Sequence, residues 1–97
     1  MASTKEYKDY VLEQMSLLNC ITYKPMMGEY ILYYNNVIFG GIYDDRLLIK
    51  KVSTNEKYHM EEAIPYDGAK AMYLVEDIDN MEVLKNIILD TYFGLKK

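Results

Sequence analysis

Three observations predict an α+β fold, an antiparallel sheet flanked by helices. Helical periodicity is confined mainly to the two ends of the chain, short strand-like apolar runs fill the middle, and turn residues separate those runs. The expected order is helix, three or four strands, a short helix, one or two strands, and a closing helix. Ninety-seven residues form one domain, 1–97, because a second would leave neither half enough chain to bury a core.

Ser3-Thr4-Lys5-Glu6 has capping-box spacing, so Ser3 is expected to cap the first helix with Glu6 reaching back. Tyr7, Tyr10, Val11, Gln14, Leu17 and Leu18 recur at helical intervals, which predicts about four turns ending near Asn19. Residues 22–27 read as extended, and Pro25, which cannot donate to a ladder, makes them an edge strand. Gly28 separates them from 30–34, Asn35-Asn36 supplies a hairpin turn into 37–43, and Asp44-Asp45 turns into 46–50. Gly40-Gly41 inside a strand calls for a bulge, an overlying helix or a ligand close to the backbone.

Ser53-Thr54-Asn55-Glu56 repeats the capping-box spacing and predicts a short helix to about Glu62. Pro65-Tyr66-Asp67-Gly68 is turn chemistry, and 70–76 reads as a strand. Asp79-Asn80-Met81-Glu82 opens the last helix. Its apolar stripe is Val83 or Leu84, Ile87, Ile88, Thr91, Tyr92 and Leu95, with Gly94, Lys96 and Lys97 suited to its C-terminal end.

Composition excludes several function classes. The net charge is −4, with 11 basic residues interleaved among 15 acidic ones, which disfavours direct contact with nucleic-acid phosphates. No apolar run approaches the roughly 20 residues of a membrane span, and the polar N-terminus lacks a signal-peptide core. A single cysteine fits a reducing compartment, so a cytoplasmic location is expected. Eleven Tyr against two Phe and no Trp suit half-buried sheet positions, and equally a Tyr-rich binding surface.

Each chemical candidate has a structural competitor. Cys20 and His59 are the only residues of their types; Cys20, among Leu17, Leu18 and Ile21, reads as a buried, inert small hydrophobe. His59 reads as a surface or half-buried residue of the short helix. One Cys and one His do not make a zinc site. Glu76-Asp77-Ile78-Asp79 lacks the Gly and closing Glu of a calcium loop and fits instead the acidic start of a helix. Asp44-Asp45 points into solvent from a turn, with nothing to split two carboxyl pKa values. Gly40-Gly41 is not followed by a helix-opening phosphate loop. No catalytic residue, metal or cofactor is therefore expected. What remains is surface: Met26 and Met27 are adjacent, so one is expected to face the core and the other a covering partner.

The segment Tyr23-Lys24-Pro25-Met26-Met27-Gly28-Glu29-Tyr30, followed by Leu32-Tyr33-Tyr34, Phe39-Gly40 and Arg46-Leu47-Leu48-Ile49-Lys50, resembles the N-terminal domain of the TfoX/Sxy competence regulators. Asp67-Gly68-Ala69-Lys70-Ala71-Met72-Tyr73-Leu74-Val75 resembles the second conserved block of single-domain members. Family members more often carry an aromatic where Met27 stands. The resemblance implies an α-β(3)-α-β(2)-α arrangement like that of secretion chaperones. It also implies a regulatory role, since the named regulators act in natural transformation by assisting the cyclic AMP receptor protein. They carry a second, C-terminal domain, which this chain, ending at Lys97, is expected to lack.

The leading expectation is a non-enzymatic, regulatory protein-interaction module. Its surface would be Met26, Met27, Gly28, Glu29 and Tyr30, and its partner another protein, a transcription regulator or a second copy of the chain. The alternative is a small-ligand binder with a pocket between sheet and helix near Gly40-Gly41.

Overall fold

The structure, a computed structural model, describes residues 3–96; what was read from Met1, Ala2 and Lys97 lies outside the described residues. Helix α1 (Lys5–Gln14) starts one residue later than its spacing suggests. Thr4 is the cap, its hydroxyl accepting from the Tyr7 amide at 3.1 Å. Ser3 is held elsewhere, as described below. The helix also stops short of Asn19: Met15 is buried but Leu17 is exposed, so a further turn would add little buried surface.

Six strands follow: β1 (Ile21–Met26), β2 (Glu29–Tyr34), β3 (Val37–Ile42), β4 (Leu47–Ile49), β5 (Glu61–Ala63) and β6 (Met72–Val75). They form one antiparallel sheet in the order β1-β2-β3-β4-β6-β5. The first three connections are two-residue turns with both central residues at positive φ: Met27-Gly28, Asn35-Asn36 and Asp44-Asp45. Such turns match the right-handed twist of the strands they join. Asn and Asp tolerate that conformation, whereas Met27, at φ 52°, has no local reason to adopt it.

A β-bulge explains the paired glycines. Leu32 lies opposite Gly40 but Tyr33 lies opposite Ile38, leaving Phe39 as the extra residue. Phe39 fills the core at this point. A Cβ on Gly40 would sit 2.8 Å from Ile49 Cα, and one on Gly41 would sit 2.7 Å from the Tyr43 ring. The cause is therefore close approach of backbone and ring, as the bulge reading expects, with no overlying helix needed.

Both α-helices cover one face of the sheet. Val11 of α1 and Met15, its C-cap, pack with Leu84, Ile87 and Ile88 of α2 (Met81–Lys96) over Leu32, Phe39, Ile42, Leu47, Ile49 and Val75. Asn80 caps α2, its Oδ1 accepting from the Val83 amide at 3.1 Å. The predicted stripe is buried from Leu84 to Tyr92.

Two expectations for the middle and end of the chain are corrected. The short helix is a 3-10 helix, Ser53–Tyr58, closed by His59 in the left-handed conformation, and Glu61–Ala63 is the edge strand β5. The cap is Val52 and not Ser53, and the side chain that reaches back to it is that of the fully buried Asn55 and not that of Glu56. Asn55 Nδ2 donates to Lys50 O (2.9 Å) and Thr91 Oγ1 (2.8 Å), while its Oδ1 accepts from Val52 N (3.2 Å). Gly94 lies inside α2 and does not terminate it. A Cβ there would meet Val52 Cγ2 at 2.8 Å, so the missing side chain lets the 3-10 segment dock on the helix.

Candidate functional site

The β1 edge comes first, because its free side is set by hydrogen-bond arithmetic. In an antiparallel pair, alternate residues bond inward to the neighbouring strand and the others point outward. Pro25, opposite Tyr30, has no N–H, and Cys20 O accepts from Asn35 N at 3.0 Å. Residues 20, 22, 24 and 26 therefore bond β2, and the amides of Ile21 and Tyr23 face outward along the edge. Pro25 occupies the one remaining outward position, where its missing donor costs no ladder bond.

The strand is braced from behind by Lys8. This lysine is only 6% exposed, with Nζ 2.6 Å from Asp9 Oδ1, 3.4 Å from the Tyr23 hydroxyl and 4.6 Å from the Tyr23 ring centroid. The Asp9 carboxylate raises the Lys8 pKa against the opposing effect of burial, and Lys8 in turn lowers that of Asp9. Tyr23 and Tyr30 meet edge-on at 5.8 Å beside the ammonium.

The five residues read as an interaction surface divide. Neither methionine enters the core: Met26 is 52% exposed and Met27 96%, because the turn carries the second one off the pleat. Gly28 is exposed beside them. Glu29 is instead a structural hub. Its Oε1 accepts from Ser3 N (3.1 Å), Ser3 Oγ (2.7 Å) and Asp44 N (3.1 Å). Ser3 Oγ accepts from Asp45 N, and Asp45 Oδ1 accepts from Thr4 N at 2.8 Å, so the N-terminal segment ties two turns together. Tyr30 is half-buried against the core.

The face away from the helices carries a cavity of about 580 Å³ beneath residues 64–71. Tyr43, Pro65, Tyr66 and Met72 line it, with Gly40 at its floor and Lys50, Lys51 and Lys70 around it. The pocket expected near the glycines was placed between sheet and helix; this cavity touches Gly40 but lies on the opposite face of the sheet, under a loop. Periodicity could not reveal this, since nothing local says which face a loop between β5 and β6 will cross.

A second cleft, of about 370 Å³, is lined by Tyr58, His59, Glu61, Glu76 and Asp77. Cys20 lies apart from it and is exposed, contrary to the buried position expected: the chain turns at φ 68° there and leaves helical packing before entering β1. Tyr58 donates to Asp90 Oδ2 at 2.5 Å; burial, and then this bond, push its pKa up to about 12. Among the described residues no three His, Cys, Asp or Glu side chains converge as a metal site, and no helix is long and apolar enough to cross a membrane.

No family model matches the chain. The chain is 29% identical over 80 residues to an uncharacterized 12.7 kDa protein in the trpE 5′ region of Spirochaeta aurantia. That alignment covers 80% of this chain and 70% of the spirochaete protein.

Proposed function

We propose that this chain is a non-enzymatic regulatory module that captures another protein by strand addition at the β1 edge. On the resemblance to TfoX/Sxy domains, that partner is a transcription regulator. The observation that carries the reading is Met27, which is almost wholly exposed and held at positive φ on the turn that ends the free edge. Neither burial nor turn propensity accounts for a methionine there, and strained residues of this kind concentrate at binding sites. The outward amides of Ile21 and Tyr23 offer the backbone bonds, and Tyr23 and Met26 the flanking apolar contacts. Cys20 and His59 lie on separate parts of the surface, which supports a role without covalent chemistry.

Met27→Asn separates binding from folding, because Asn suits the turn and removes the apolar contact. It is expected to raise stability by about 0.5–1 kcal/mol and to weaken partner capture by tagged protein from its native lysate. Tyr23→Pro and Tyr23→Ala both delete the ring, but only the first deletes the outward N–H, so the proline variant is expected to capture less. Undiminished capture by Met27→Asn, together with equal capture by the two Tyr23 variants, would refute edge pairing.

A further inference from the structure

The cavity beneath residues 64–71 has an electrostatic character opposite to that of the chain. The protein carries net charge −4, yet no acidic side chain lines this cavity and three lysines do. Lys51 is neutralised by Glu62 at 2.9 Å and lies 5.6 Å from the Tyr73 ring. Lys50 and Lys70 form no ion pair among the described residues, so two of the three lysines that line the cavity are uncompensated. The cleft lined by Glu61, Glu76 and Asp77 has the reverse sign.

The rest of the cavity lining is largely apolar and includes two aromatic rings. Tyr43 lies across Gly41 and meets Tyr66 at 6.2 Å between ring centroids, tilted by 53°. Burial raises the Tyr43 pKa, so its phenol stays a neutral donor across the physiological range. The covering loop is anchored at its start, where Arg46 Nη2 donates to Ile64 O at 3.2 Å and Pro65 is buried. Tyr66 stands 63% exposed on that loop, and Gly68 follows at φ 84°. The volume falls within the roughly 300–1,000 Å³ usual for small-molecule sites.

We infer that this cavity binds a small organic anion with a flat apolar body, the ring system lying against Tyr43 and Tyr66 and the anionic group facing Lys50 and Lys70. The site is separate from the β1 edge and does not depend on its role. Charge attraction from Lys50 and Lys70 supplies selectivity, and burial of the planar body supplies affinity.

The test is an amide-resolved NMR titration of the full chain with naphthalene-2-carboxylate and with its neutral carboxamide. The carboxylate is expected to shift the amides of Tyr43, Tyr66, Lys70 and Met72, and to bind about tenfold more tightly than the carboxamide. Lys50→Gln/Lys70→Gln is expected to remove that tenfold preference. Lys5→Gln/Lys24→Gln, which deletes two lysines elsewhere that form no ion pair among the described residues, is expected to leave it within about twofold. Equal affinity for the two probes, an equal loss in both double variants, shifts confined to the Glu61–Glu76–Asp77 cleft, or no binding at millimolar probe would each overturn the assignment.

Discussion

Asn55→Ala removes one fully buried side chain and, with it, three hydrogen bonds that join three elements. The carbonyl of Lys50 after β4, the amide of Val52 before the 3-10 helix and the Thr91 hydroxyl on α2 each lose a partner. Thr91 still donates to Ile87 O at 2.8 Å, so its loss is partial. At about 1 kcal/mol for each neutral bond, with more where a buried group is left unpaired, the substitution is expected to cost about 3–4 kcal/mol. That is a large share of the roughly 5–15 kcal/mol available to a domain of this size. Urea unfolding followed by circular dichroism reads the change as a shift in midpoint at constant slope. Thr91→Val, which keeps shape but removes the acceptor for Asn55 and the donor to Ile87 O, is expected to cost about 1–2 kcal/mol. The double variant is expected to show coupling of about 1 kcal/mol. An Asn55→Ala loss below about 1 kcal/mol, or strict additivity with Thr91→Val, would refute the view that this side chain holds the 3-10 segment to the helix.

Gly94→Ala should stabilise an ordinary helix interior by about 1 kcal/mol. Here the added methyl meets Val52, so thermal unfolding is expected to show a net loss of about 1–2 kcal/mol. Tyr58, with its pKa raised above the unfolded value to about 12, contributes stability that is intact below pH 10 and drains away as pH climbs toward 12. Urea midpoints across pH 9–12 are expected to fall more steeply for the wild type than for Tyr58→Phe, by roughly 1–2 kcal/mol at the alkaline end after allowance for solvent screening. Glu29→Ala frees Ser3 and the Asp44 amide from their shared acceptor. It is expected to cost about 2 kcal/mol and to raise amide exchange at Ser3, Thr4 and Asp44 before the sheet is affected.

Much of the fold was legible because its signals are local. Two-residue Asn-Asn and Asp-Asp turns, a proline that cannot sit in a sheet centre, and an apolar stripe from Leu84 to Tyr92 each act within a few residues of themselves. The α+β class and the edge position of Ile21–Met26 follow from them. The errors arose where one residue answers to a distant partner. Ser3 leaves the cap to bond Glu29 and Asp45, Asn55 is buried where it bonds Thr91, and Gly94 keeps its place in a helix because Val52 packs on it. Capping-box spacing between Ser53 and Glu56 does not reveal that Asn55, between them, will be buried against α2 and take over the contact to Val52.

The candidate sites divide along the same line. Pro25 marks an edge in the sequence itself, since a missing N–H is a property of the chain, whereas alternation placed one methionine in the core, and neither enters it. Which of Met26 to Tyr30 remains exposed was decided by the positive φ at Met27 and by the Ser3–Glu29 contact. The lysine-lined cavity was decided wholly in three dimensions. Gly40, Tyr43, Lys50 and Lys70 are spread over thirty positions, and they meet because β3, β4 and the loop before β6 converge on one face. Backbone preference acts over a turn or a strand, whereas charge and cavity shape depend on which strands the fold places side by side.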